Sequence, residues 1–213
     1  EIGKLIKEVN KNTYFHSDIT QSVGKIKVNL DYVDLASFSA QKFYGLKGVG
    51  CLIKKENIIL EPLIHGGKST TVYRSGTPAL GLIVSTAKAL RLAYLDFDKK
   101  YDYVCFLNKY LKEELSKINK VHINSNSYCV PHIVNISIEN IKPETMQHAL
   151  EQEEIYVSTQ TACSSNNPVS KAVLAVTKNY ASSSIRISLS YLTTKEEIDM
   201  FVKVLNNKIK ELS

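Results

Sequence analysis

The sequence predicts an α/β fold whose second half is a smaller α+β domain. In residues 1–97, short apolar segments with polar ends alternate with helical segments, which is typical of a sheet covered by helices. Apolar residues then recur at three- and four-residue spacing through residues 78–118, and shorter strand and helix patterns follow. We therefore expect one domain in residues 1–97 and a second domain in residues 98–213.

The first predicted element is a helix. Its apolar residues have the spacing of one helix face, at Ile2, Leu5, Ile6 and Val9. Because no capping residue precedes them, we expect the sequence to begin inside a helix that starts further upstream. Strands are then predicted in "TYFHSD", "DYVDLASFSA" and "GVGCLIKK", and the first two of these end in polar residues.

The pattern that follows predicts one long or bent helix from Pro78 to about Ile118. In the second domain, strands are predicted in "KVHINS", "HIVNISI", "IYVST" and "SSIRISLS", and helices in "KPETMQHALEQ" and "PVSKAVLAV". A last helix begins at Thr194, because Glu197 completes a capping box with that threonine. Its predicted buried face consists of Ile198, Phe201, Leu205, Ile209 and Leu212.

Charge and cysteine content argue against several classes of function. The net charge of +6 comes from lysines interleaved with acidic residues, which is typical of a solvated surface and not of a nucleic-acid-binding patch. Lys88 and Arg91 interrupt the most apolar stretch, so we expect no membrane span. The 4 cysteines stand far apart without a CxxC pair. We therefore expect no disulfide framework, no zinc or other metal site, and a cytoplasmic location.

Polar side chains follow two of the predicted strands. His16, Asp18 and Gln21 come at the end of the first strand, and the run from Ser39 to Lys42 comes at the end of the second. In open α/β sheets, ligands bind outside the carboxyl ends of the strands. An acid and an amine at neighbouring strand ends are also compatible with a simple salt bridge, and spacing alone leaves both interpretations open. For His16 we expect a packed histidine with satisfied hydrogen bonds.

The order of five motifs resembles that of the cysteine desulfurases, which are pyridoxal-phosphate enzymes of the class V aminotransferase type. The motifs are "HSDITQ", "SAQK" followed by "GLKGVG", "RSGT", "TACSS" and "SIRISLSYLTTKEEID". The resemblance implies fold type I of the pyridoxal-phosphate-dependent transferases, the aspartate aminotransferase-like fold. It places part of the large domain in residues 1–97 and the small C-terminal domain, with a catalytic cysteine loop, in residues 98–213.

The resemblance also assigns a pyridoxal 5′-phosphate site. Lys42 is implied to form a Schiff base with the cofactor, which requires the neutral amine. Asp18 is implied to face the pyridine nitrogen and keep it protonated, so that the ring can act as an electron sink. Gln21 matches the amide that hydrogen-bonds the phenolic oxygen of the ring.

The phosphate group of the cofactor is assigned to three other residues in the same way. Ser39 matches a phosphate ligand, and Thr77 of "RSGT" matches one that reaches in from the other subunit of a homodimer. Gln41 stands where better-known members of the family have a histidine. Its amide can still donate a hydrogen bond to phosphate, but it cannot carry charge.

Two residues of the second domain are assigned to the substrate. Cys163 is implied to attack the sulfur of L-cysteine, which leaves a persulfide on the enzyme and releases L-alanine; the thiolate is the reactive form. Its small, polar neighbours are typical of an exposed loop. Arg186 is implied to hold the substrate carboxylate, and strand alternation predicts that it points away from the face that carries Ile185 and Ile187.

The implied function is that of a cysteine desulfurase, a homodimer that passes sulfur to an iron–sulfur scaffold or a tRNA-thiolation protein. Another class V enzyme, such as a selenocysteine lyase or an aminotransferase, stays open as an alternative. A non-catalytic, truncated copy also stays open as an alternative, because Gln41 replaces the histidine of better-known family members. Because the family's N-terminal half supplies further cofactor-binding groups, we expect this chain alone to bind little cofactor.

Overall fold

The computed structural model describes residues 1–67, 71–159, 173–175 and 184–213 of the protein. The chain divides into two units, Glu1–Phe97 and Asp98–Ser213. None of the described helices combines the length and the apolar character that crossing a membrane requires.

The sheet of the first unit has the strand order β1 (His16–Asp18), β2 (Leu35–Ser39) and β3 (Gly50–Lys54). Strand β1 runs parallel to β2, whereas β2 and β3 are antiparallel. The register places Asp18 beside Ser37 and Ser39 beside Gly50. The strands predicted in this part of the sequence are therefore confirmed, although each is shorter than its sequence pattern.

The two faces of this sheet differ in polarity. Ala36 and Phe38 of β2 point into a core that also contains Ile19, Val23 and Phe43. Because successive residues of a strand point to opposite faces, the other face carries Leu35, Ser37 and Ser39 of β2 and, by register, Leu52 of β3. We call the part of this face formed by His16, Asp18, Ser37 and Ser39 the polar face of the first sheet.

Helices α1 (Ile2–Val9) and α2 (Leu80–Tyr94) belong to the first unit, and α3 (Phe97–Leu115) begins at its end. The prediction of a single long or bent helix through this region is wrong, because α2 and α3 are separate. Leu95 is extended, and Asp96 has a left-handed backbone with φ of 53°. A left-handed residue cannot continue an α-helix, so α2 ends before this position and α3 begins after it.

The second unit contains an antiparallel sheet of strand order β4 (Val121–Ile123), β5 (Ile133–Ile138) and β6 (Ser184–Ser188). Its core side chains come from α3, one face of the sheet, α4 (Pro143–Glu151) and α5 (Lys195–Leu212). The strand predicted in "IYVST" is reduced to a single bridge between Ser158 and Arg186. Most of "PVSKAVLAV" lies outside the described residues.

The N-terminus of α5 confirms the predicted capping box. Thr194 Oγ1 accepts a hydrogen bond from Glu197 N at 3.2 Å, and Glu197 Oε2 accepts one from Thr194 N at 2.8 Å. The predicted buried face of this helix is confirmed except at Leu212, which is exposed because it lies in the last turn.

Candidate active site

Parallel pairing brings the ends of β1 and β2 to the same edge of the first sheet. Ile19 N, directly after β1, donates a hydrogen bond to Ser37 O at 2.8 Å, which fixes the two strand ends side by side. Neighbouring strands lie about 4.8 Å apart. The edge therefore carries Asp18 from β1 together with Ser39 and the 3-10 helix Ala40–Phe43, which follows β2 directly.

Asp18 is an exposed carboxylate that stays ionised at neutral pH. Hydrogen bonds from the side chain and the backbone of Thr20 lower the pKa of Asp18, slight burial opposes them, and the charge of His16 adds to them. Thr20 N lies 2.9 Å from Asp18 Oδ1. The prediction of a packed His16 is wrong, because this histidine lies exposed on the polar face, with its Nε2 atom 3.1 Å from Ser37 Oγ.

Gln21 lies on the helical turn that follows β1. The turn is anchored by Ile19 and Val23, which are buried in the core, and Gln21 is exposed. Gly24 in this turn has φ of +73°, and a Cβ atom there would lie 3.1 Å from the Cβ atom of Phe43. Because Phe43 belongs to the 3-10 helix, the turn that carries Gln21 packs directly against the element that carries Lys42.

The 3-10 helix exposes Gln41 and Lys42 and buries Ala40 and Phe43 in the core. Among the residues that the structure describes, no hydrogen bond or ion pair engages the Lys42 amine. After the helix the chain folds back, with Gly45 N donating to Ala40 O at 2.9 Å. A Cβ atom at position 45 would lie 2.5 Å from the Cβ atom of Ala40, so only glycine fits there. The glycine after Lys42 therefore permits the reversal that presents this lysine at the sheet edge.

The residues assigned to phosphate binding belong to two segments of the chain. Ser39 is half-buried at the end of β2, and its hydroxyl makes no capping bond to the 3-10 helix. Gln41 is exposed beside Lys42. Thr77 is exposed in the segment before α2. Five of the predicted site residues thus share one edge, whereas Thr77 belongs to the segment that leads into α2.

Arg186 belongs to the second unit, where it lies on β6 opposite Asn135 of β5. Ile185 and Ile187 point into the core, so the predicted direction of Arg186 is confirmed. Its backbone exchanges hydrogen bonds with Ser158, and its Nε atom is buried without a hydrogen-bond partner in the described part of the chain. A buried guanidinium donor without a partner is costly, and because the side chain as a whole is only half-buried, the guanidinium is suited to pair with an anion.

A buried polar layer surrounds Arg186, and the sequence analysis missed it. Asn124 Nδ2 donates to Asn135 Oδ1 at 2.7 Å and to Ser137 Oγ at 2.8 Å. Ser137 and Ser184 are buried on the same face as Arg186. The alternation of polar and apolar residues in "HIVNISI" could have revealed this layer. Cys163, the predicted nucleophile, lies outside the described residues.

Residues 1–201 match the family model described as aminotransferase class-V. The chain belongs to this family. Among curated proteins, it is 38% identical over 219 residues to the cysteine desulfurase IscS of Dictyoglomus turgidum, in an alignment that covers 100% of this chain and 55% of that protein. It is also 36% identical over 228 residues to the cysteine desulfurase IscS of Buchnera aphidicola subsp. Baizongia pistaciae, of which 56% is covered. The chain thus spans about half the length of the curated relatives that it matches.

Solved structures of NifS-like proteins share the fold. A NifS-like protein superposes on 99% of this chain with a TM-score of 0.87 and 33% sequence identity, and 56% of that protein is covered. A NifS-like protein from Rickettsia africae superposes on 99% of this chain with a TM-score of 0.83 and 30% identity, and 56% of that protein is also covered. The fold is fold type I of the pyridoxal-phosphate-dependent transferases, and the resemblance predicted from the motifs is confirmed.

Proposed function

We propose that the protein containing this chain is a cysteine desulfurase, which takes sulfur from L-cysteine and releases L-alanine. The observation that supports this function best is the parallel pairing of β1 with β2, since it brings an ionised carboxylate and an exposed amine to one sheet edge. Relatives named cysteine desulfurase match the whole chain, which favours this activity over other class V activities.

The residues at this edge suit the chemistry of pyridoxal 5′-phosphate. Lys42 offers the primary amine for covalent attachment, and Asp18 offers an anionic partner for a protonated pyridine nitrogen. Gln21 supplies an amide for the phenolic oxygen, and Ser39 and Gln41 supply neutral donors for the phosphate. When bound, the cofactor supplies an electron sink for bond cleavage at the substrate amino acid.

Two residues would act on the substrate itself. Arg186 would hold the substrate carboxylate, because its side chain is only half-buried and a guanidinium pairs with carboxylate in a two-pronged manner. The Cys163 thiolate would take up the sulfur atom as a persulfide. This role for Cys163 comes from the resemblance of "TACSS" to the family motif.

The test uses the purified protein at its full natural length, reconstituted with pyridoxal 5′-phosphate. We expect Lys42→Ala to remove both the visible absorbance of the bound cofactor and alanine release, whereas Cys163→Ser keeps the absorbance and loses alanine release. Lys47→Ala, which removes an exposed lysine of the same segment, serves as the control and should change neither. Unchanged cysteine turnover in Cys163→Ser would point to a selenocysteine lyase or another class V enzyme. Absence of cofactor absorbance in the unmodified protein would point to a non-catalytic copy.

We propose that two copies of the chain form a homodimer. Large apolar side chains are exposed along the segment before α2 and on α2 itself, which favours a covering partner. They are Ile59, Leu63, Ile64, Val72, Tyr73, Leu80, Ile83, Val84 and Leu92. Thr77 lies within this exposed segment, in keeping with its implied role in the site of the other subunit.

A mixed dimer of Lys42→Ala and Thr77→Ala subunits tests this arrangement. If Thr77 serves the partner's site, the mixed dimer contains one intact site, and activity returns when the two inactive variants are co-expressed. If Thr77 serves its own subunit, neither site of the mixed dimer is intact and no activity returns. Analytical ultracentrifugation of the unmodified protein measures the oligomeric state directly.

The persulfide would be passed to an acceptor protein, either an iron–sulfur scaffold or a tRNA-thiolation protein. The IscS names of the relatives support an acceptor of this general kind. Mass spectrometry of each acceptor after incubation with the cysteine-loaded enzyme would detect the transferred sulfur. The cytoplasmic location expected from the cysteines stays a prediction.

A further inference from the structure

Gln21 and Lys25 stand one helical turn apart on the segment that follows β1. Val23 N donates to Ile19 O at 3.0 Å and Lys25 N donates to Ser22 O at 3.0 Å, so the backbone here is locally helical. Burial of Ile19 and Val23 leaves Gln21 on the exposed side. There, Gln21 Oε1 accepts a hydrogen bond from Lys25 Nζ at 3.0 Å.

The chemistry of this pair fixes the orientation of the Gln21 amide. A lysine ammonium can only donate hydrogen bonds, whereas a glutamine amide has an accepting oxygen on one side and a donating nitrogen on the other. The atom that faces Lys25 must therefore be Oε1, and Nε2 must face away from it. Without such a contact, the terminal torsion of glutamine is broad and allows both orientations.

We propose that Lys25 is a positioning residue for the cofactor site. By binding Gln21 Oε1, it leaves Gln21 Nε2 to donate to the phenolic oxygen of pyridoxal 5′-phosphate. This inference rests on the proposed function. A donor is the group needed here, because a hydrogen bond to an oxygen stabilises its negatively charged form. The reversed amide would instead present a second oxygen to that atom and would weaken binding.

Packing holds the Gln21 turn in register with the lysine that binds the cofactor. Gly24 lies between Gln21 and Lys25, and a Cβ atom there would lie 3.1 Å from Phe43 Cβ and 3.0 Å from Ala93 Cβ. The backbone of the turn therefore lies close against the 3-10 helix that carries Lys42, with no room for a larger residue at position 24. With the backbone packed in this way, the contact with Lys25 fixes the orientation of the amide among the described residues.

The experiment compares variants at position 25 in the full-length protein loaded with pyridoxal 5′-phosphate. Glutamate only accepts hydrogen bonds, so Lys25→Glu should draw Gln21 Nε2 toward itself and turn the oxygen outward. We expect cofactor affinity to fall about fivefold and the pH midpoint of the visible absorbance change to rise by about half a unit. Lys25→Arg also only donates and should keep the original midpoint, whereas Lys25→Met should lie between the two.

Two controls separate orientation of the amide from a simple change of charge. Lys27→Glu makes the same charge change two residues away and should leave the midpoint unchanged. In a Gln21→Ala background, Lys25→Glu should have no further effect on the midpoint, because there is no amide to orient. An equal shift from Lys27→Glu, or a shift that persists in the Gln21→Ala background, would overturn the positioning role while the cofactor still binds. Loss of the cofactor spectrum in the unmodified protein would instead overturn the proposed function, and this inference with it.

Discussion

Replacement of Asp34 by asparagine tests how the first unit is held together. Asp34 is only 6% exposed, and its carboxylate joins three separate segments of the chain. Lys7 Nζ of α1 lies 2.5 Å from Oδ2, and Phe15 N donates to the same oxygen at 2.8 Å. Lys55 Nζ, just after β3, lies 3.1 Å from Oδ1. Asp34→Asn removes the negative charge that pairs with Lys7 and Lys55.

The pKa of Asp34 gives the magnitude of the effect. The hydrogen bond from Lys7, together with those from Phe15 N and Lys55, lowers this pKa from 3.8 to about 2, although burial opposes the shift. At neutral pH this difference stabilises the folded state by about 2 kcal/mol. Because the folded pKa lies below the unfolded one, the contribution is complete well above pH 4 and is lost as the pH falls toward 2. About half of it remains at pH 3.

Hydrogen exchange of the β2 amides measures this effect in the first unit alone, which matters because two units need not unfold together. We expect Asp34→Asn to lower the opening free energy at pH 7 by about 2–4 kcal/mol, since it also leaves Lys7 without its anionic partner. The matched control is Lys4→Met on the same helix, whose side chain is 62% exposed and pairs with Glu8 at 3.7 Å. This control should cost less than about 0.5 kcal/mol. An equal effect of the two substitutions, or an Asp34→Asn effect as large at pH 2 as at pH 7, would refute the reasoning.

Further substitutions test the lysine loop, the second unit and the substrate site. Gly45→Ala should destabilise the first unit by about 1–3 kcal/mol and abolish cofactor absorbance, because its Cβ atom would lie 2.5 Å from a side chain of the 3-10 helix. Gly67→Ala, where a Cβ atom would meet no atom of the described residues within 4 Å, should leave both the urea midpoint and the spectrum unchanged. Tyr110→Phe should remove an ionisation near pH 12 from the ultraviolet titration, since the hydrogen bond to Asp199 raises the pKa of Tyr110 to about 12. Arg186→Lys should raise KM for L-cysteine about tenfold or more without altering the cofactor spectrum, because an ammonium lacks the two-pronged geometry; an unchanged KM would remove Arg186 from the substrate site.

The sequence predicted the strand edge correctly but not where the long helical pattern breaks. Polar residues at the ends of two strands identified the edge, because parallel pairing follows from the α/β pattern. The break between α2 and α3 carries neither glycine nor proline, and its left-handed residue is Asp96. Since Tyr94, Leu95 and Phe97 continue the apolar pattern through the break, no local signal marked it.

The contacts that support the candidate site depend on tertiary placement and could not be read from motifs. Asp34 lies within a predicted strand segment, and its partners Lys7 and Lys55 are far from it in sequence. The alternation around Arg186 predicted its face, but only the packed structure shows that its Nε atom lacks a partner among the described residues. Lys25 lies outside the family motif that identified Gln21, and a lysine four residues after a glutamine is not in itself informative.

The pairing of Ser39 with Gly50 closes a short loop around Lys42 at the moment the sheet forms. The entropy of ordering this loop is therefore lost during folding and does not have to be lost again when a ligand arrives. The pairing of Ser39 with Gly50 also limits where residues can be inserted into the chain. One residue inserted between Ser39 and Lys42 would rotate the amine by about a third of a turn of the 3-10 helix, whereas insertions after β3 would leave this loop intact.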